Sequence, residues 1–73
     1  MWNKYPDTMV EEGNLWLLVR PKQDYEAHML EIPVIARKDI EGIYSYQMER
    51  SDEQLYYLDY AIDYQICFWK KRV

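Results

Sequence analysis

Between Asn14 and Arg20 the chain reads Asn-Leu-Trp-Leu-Leu-Val-Arg, an apolar run of five bracketed by polar residues and closed by Pro21. A run this short, bounded by turn residues, predicts a strand. A second strand is predicted over Ala27 to Lys38, which carries Met29, Leu30, Ile32, Val34, Ile35 and Ala36. Pro33 lies inside it and donates no ladder hydrogen bond, so an edge strand or a bulge is expected there. Lys38-Asp39-Ile40-Glu41-Gly42 reads as a turn, after which Tyr44, Tyr46 and Met48 alternate with Ile43, Ser45, Gln47 and Glu49 in the period of two of a third strand. Residues 1–13 read as an irregular lead-in whose Trp2 and Tyr5 fold back on the core and which ends at Gly13.

The segment from Ser51 to Val73 reads in two ways. Ser51 with Gln54 fits a capping box, Lys70, Lys71 and Arg72 suit a helix C-terminus, and Leu55, Leu58, Ile62, Ile66 and Trp69 fall at three- and four-residue spacing. Against this, Tyr56, Leu58, Tyr60, Ile62, Tyr64, Ile66 and Phe68 occupy every even position, while Asp59, Asp63 and Gln65 are among the odd ones. Tyr, Ile, Phe and Trp favour pleated surfaces, and the strand reading is adopted, with a break or bulge near Asp59 to Ala61. The expected fold is all-β: a small antiparallel sheet, half-open or barrel-like. The alternative is α+β with a C-terminal helix over residues 52–70. The alternation places Trp16, Leu18, Leu30, Ile32, Val34, Tyr46, Leu58, Ile62, Ile66 and Phe68 in the core.

At 73 residues the chain allows a single domain, 1–73. It is 49% hydrophobic and 16% aromatic, too apolar for disorder, and burial of its rings is expected to replace the disulfides or metals that many small domains need. No run approaches the ~20 residues that span a bilayer, so no membrane association is expected. No basic-then-apolar leader opens the chain and Cys67 is the only cysteine, which together fit a cytoplasmic protein. A net charge of −4 disfavours direct nucleic-acid binding.

Trp2-Asn-Lys-Tyr-Pro6, Glu11-Glu-Gly13, Trp16-Leu-Leu-Val19 and the closing Ile66-Cys-Phe-Trp69 resemble a group of small phage and prophage proteins of unknown function. Those proteins open on a Trp, pass a Pro and a Glu/Gly turn into a strand ending in Leu-Val, and close on a strand containing Trp. The resemblance covers the first 20 residues and the last ten. It departs at the end, where Lys70-Lys71-Arg72-Val73 replaces a Pro-rich tail. It implies a mainly β fold and a phage or prophage origin, hence the cytoplasm of a host cell, and it carries no catalytic residues to transfer.

Catalytic chemistry has few candidates. His28 has no second histidine or nearby cysteine, Cys67 lies in an apolar run, and the carboxylate pairs Glu11/Glu12, Asp52/Glu53 and Asp59/Asp63 have no pocket signal beside them. A non-enzymatic chain with no catalytic residues, metal or cofactor is expected. The charge pattern says more. From Asp39 to Asp63 seven acids face one base, Arg50, and five of the eight tyrosines lie in the same window, with a sixth, Tyr64, next to it. Strand or helix, Asp59 and Asp63 share a face. These residues predict an acidic, Tyr-rich docking surface formed by Asp52, Glu53, Tyr57, Asp59, Asp63 and Tyr44. Its expected partner is a basic surface on a nucleic-acid-handling host protein, which it would inhibit as a defence-system inhibitor does. The alternative is a homo-oligomeric accessory domain with no inhibitory role, a homodimer formed by the C-terminal strand laying its basic tail on the acidic window of a second copy.

Overall fold

The computed structural model describes residues 1–24, 26–48 and 63–73, together with the backbone of 55–56. Six strands follow one another: β1 (Asn3–Lys4), β2 (Gly13–Pro21), β3 (Leu30–Lys38), β4 (Tyr44–Met48), β5 (Leu55–Tyr56) and β6 (Tyr64–Lys71). They form one antiparallel sheet in the order β1-β6-β2-β3-β4-β5. The fold is all-β, as the alternation indicates, and the sheet is open, with β1 and β5 at its two edges. Among the described residues there is no helix, and the helical alternative over 52–70 fails at β5 and β6.

The core lies on one face of this sheet. Leu15, Leu17 and Val19 of β2, Val34 and Ala36 of β3, Tyr46 of β4, and Ile66 and Trp69 of β6 are buried there. The lead-in covers part of the face, its Val10 buried and its Tyr5 packed against the cluster. Two side chains hold it: Trp69 Nε1 donates to the Thr8 carbonyl at 2.8 Å and the Tyr44 hydroxyl to the Val10 carbonyl at 3.0 Å. Each bond satisfies a polar group that the apolar face would otherwise leave unpaired, and each contributes about 1 kcal/mol.

Three expectations about this core are corrected. Trp16 and Leu18 are half-buried on the opposite face, because in a run apolar at every position alternation has no phase to read. Leu30 is 55% exposed, at the end of β3. Phe68 also faces outward, because the register of β6 on β2 shifts: Leu18 pairs with Phe68 but Val19 with Ile66, leaving Cys67 as the extra residue of a β-bulge. The bulge resets the alternation, so that Ile66 and Trp69, three residues apart, are both buried. The break expected near Asp59 to Ala61, and the core positions Leu58 and Ile62, lie outside the described residues.

Pro33 does not mark an edge: β3 is interior, between β2 and β4. The Arg72 amide donates to the Asn14 carbonyl, so the polar groups of Asn14, and by alternation those of Trp16, point at β6. The Trp16–Pro33 pair is therefore non-hydrogen-bonded, and the ring nitrogen of Pro33 points to the β4 side. The β2–β3 ladder therefore loses no bond at the proline. The β3–β4 turn follows the sequence reading. Gly42 takes a φ of 87°, its amide bonds the Asp39 carbonyl at 3.0 Å, and the Asp39 Oδ1 accepts from the amides of Glu41 at 2.8 Å and Ile43 at 2.9 Å.

Candidate functional site

Two of the six docking residues named from the sequence lie among the described residues with their side chains. Asp52, Glu53, Tyr57 and Asp59 lie outside them. Asp63 is exposed just before β6, where the Lys22 amide bonds its carbonyl at 2.9 Å and fixes the chain beside the end of β2. Tyr44 is half-buried and internally engaged. Its hydroxyl is bound to Val10, its ring stacks on Tyr46 with centroids 6.4 Å apart, and the Lys38 ammonium lies 5.9 Å from its centroid. Tyr44 thus also serves the framework.

The acidic window also divides. Asp39 and Glu41 occupy the turn at the Lys38 end of β3, beside the start of β2, whereas Asp63 stands beside the end of β2. The nine residues of β2 separate these ends by roughly 25–30 Å at the usual strand rise. Asp39 and Asp63 cannot share one contact patch. In sequence Asp63 follows the acids Glu49, Asp52, Glu53 and Asp59 and the single base Arg50.

The C-terminal cations are not a free tail. Lys70 Nζ stands 4.5 Å from the centroid of the Trp2 ring, the Arg72 guanidinium 5.7 Å from that of Trp16, and Lys71 Nζ 2.7 Å from the Glu11 carboxylate. β6 itself is flanked by β1 and β2, and the Tyr5 amide also bonds the Cys67 carbonyl at 3.0 Å. Dimerisation by pairing of the C-terminal strand with a second copy is corrected accordingly, since that strand is not an edge.

The sheet face opposite the core carries residues that sequence reasoning passed over. The register sets Lys70 beside Trp16 across β6 and β2, with the Trp2 ring beside the Lys70 ammonium, and Lys4, Phe68 and Leu18 in the next row. Arg20, Arg37 and Arg72 project from the same side; among the described residues Glu31 is the acid on its strands, and Asp7 lies 4.0 Å from Lys4. Every described side chain on this face is half-buried or exposed. The signal was present in the sequence as Lys and Arg interleaved with Trp and Phe, but the unread bulge and the face of β2 assigned in reverse concealed it.

Other candidate features carry little chemistry. Among the described residues no group of three His, Cys, Asp or Glu side chains could hold a metal ion. His28 is exposed, and Cys67 is half-buried at the bulge, its Sγ 3.9 Å from the Gln65 carbonyl. On the core face an apolar hollow of about 240 Å³ opens between Val19, Ile32, Tyr46 and Tyr64, and among the described residues no charged side chain lines it. Comparison with family models, with curated proteins and with solved structures found no match.

Proposed function

We propose that this chain is a non-catalytic binding protein of phage or prophage origin. In this reading it docks on a basic surface of a nucleic-acid-handling host protein through the acidic segment that leads into Asp63, and inhibits that protein. The observation that carries the reading is the density of charge in the sequence: from Glu49 to Asp63 five acids stand against one base. An acidic segment of this density, with Tyr56, Tyr57 and Tyr60 inside it, supplies the long-range steering and the aromatic anchors that protein interfaces use. The host setting rests on the resemblance of the two termini to small phage proteins.

The test is a tagged pull-down from host-cell lysate at low and at high salt, beside an Asp59→Lys, Asp63→Lys variant shown to be folded by circular dichroism. One basic host protein should be retained by the wild type, leave as salt rises towards 0.5 M, and be missing from the variant. Retention by both proteins, at both salt concentrations, refutes the reading. A second reading is self-association through the edges of the sheet, favoured by β1 and β5, each of which has one strand partner among the described residues. A concentration-independent mass of 9.0 kDa in light scattering removes it.

A further inference from the structure

We infer that residues 1–12 are a strap that opens as one unit from an otherwise folded sheet, uncovering the edge of β6 that faces away from β2, and that a clip of Trp69, Lys70 and Lys71 sets how often it opens. The strap adds little to the core. Val10 is buried, Trp2, Asn3 and Tyr5 are half-buried, and the other eight of its residues are exposed. In β2, by contrast, three of nine residues are buried and Asn14 alone is exposed. Ordering twelve residues of backbone is costly, and so few buried side chains offset little of that cost. Strand pairing offsets little more, since β1 is two residues long and is followed on β6 by the Tyr5 amide bonding the Cys67 carbonyl.

Three successive side chains of β6 grip the strap from both faces. Trp69, opposite Leu17, lies on the core face, where its indole donates to the Thr8 carbonyl at 2.8 Å. Lys71, opposite Leu15, lies on the same side, with Nζ 2.7 Å from the Glu11 carboxylate. Lys70, opposite Trp16, points to the other face, where its ammonium is 4.5 Å from the centroid of the Trp2 ring. Both members of the Lys71–Glu11 pair are more than half exposed, so the pair is modest in strength and screened by salt. Closure of the strap is thereby sensitive to ionic strength. Contacts within the strap travel with it: the Thr8 amide bonds the Lys4 carbonyl at 2.9 Å and Lys4 Nζ is 4.0 Å from Asp7, which favours movement as one body. The joint is Glu12-Gly13. Glu12 is exposed, and Gly13 holds a φ of 122° with no atom within 4 Å of where a Cβ would stand, a position at which glycine turns at little cost. Closed, the strap caps β6 at Phe68 and Trp69; open, it leaves the backbone there and the Trp69 indole to another extended strand.

The experiment measures hydrogen exchange of the full chain by NMR at about 50 mM and about 0.5 M salt. The Trp69 indole and the Tyr5 amide report the strap, and the Leu17 amide, which by alternation points to β3, reports the sheet. The two strap reporters should share one protection factor, about tenfold or more below that of Leu17. Glu11→Gln should lower the strap's protection about 1.5- to fivefold at the lower salt concentration and have no effect at the higher one. Lys71→Gln should do the same, and the two changes together should do no more than either alone. Glu11 and Lys71 are exposed, so circular dichroism should show these variants folded. Equal protection of the strap reporters and Leu17 overturns the inference, because the chain would then open only by unfolding as a whole. Unequal protection of the Trp69 indole and the Tyr5 amide overturns it as well, because the strap would not move as one body. So does strap protection that Glu11→Gln leaves unchanged at the lower salt, because the clip would not set the opening. Host-protein retention has no part in these readouts, so failure of the docking reading and failure of this one are told apart.

Discussion

Asp39 and Gly42 decide the turn between β3 and β4, each by a different physical route. Gly42 holds a φ of 87°, where a Cβ is disfavoured by its own backbone although only Lys38 Cε lies near, at 3.8 Å. Gly42→Ala is expected to cost about 1–2 kcal/mol in urea unfolding, since the obstacle is conformational rather than steric crowding. Asp39→Ala strands the amides of Glu41 and Ile43 and is expected to cost about 1 kcal/mol in the same measurement. Both residues were legible in the sequence, because a turn is made by neighbours. Tyr44 was not, because its hydroxyl partner Val10 is 34 positions away and no local pattern announces it. Tyr44→Phe should lower stability by about 1 kcal/mol and leave retention of the host protein unchanged. Loss of the partner with stability preserved would show that the hydroxyl acts in docking.

At the scale of the strand, β2 and β6 show which part of an alternation can be read. The existence of both strands follows from composition, since Leu15 to Val19 and Tyr64 to Trp69 are rich in apolar, β-branched and aromatic residues. Which face each residue takes does not, because the β2 run is apolar throughout and the Cys67 bulge reverses the phase within β6. Neighbouring leucines test the assignment. Leu17 is fully buried and Leu18 half-buried on the other face, so Leu17→Ala should cost about 2–5 kcal/mol and Leu18→Ala about 1 kcal/mol by chemical denaturation. Equal costs would contradict the face assignment. Pro33 teaches the same lesson from the other side. Its missing donor was rightly taken as a constraint on the sheet, yet β3 is interior, and toward β2 the constraint is met by the phase of the ladder rather than by an edge.

On the scale of the whole molecule, the balance of charge conceals its arrangement. A net charge of −4 suggests an acidic protein with no affinity for polyanions, while the fold gathers Lys4, Arg20, Arg37, Lys70 and Arg72 onto one sheet face and leaves the densest acids in the segment ending at Asp63. The acidic segment was visible in the sequence because it is contiguous. The basic face was not, because its members come from four strands and meet only through the register. The measurement that bears on this most directly is retention of the host protein by two charge variants in parallel, Asp59→Lys, Asp63→Lys and Lys70→Glu, Arg37→Glu, with nuclease added to the lysate. The host protein should be lost with the first variant and kept with the second, and loss with the second but not the first would contradict the account.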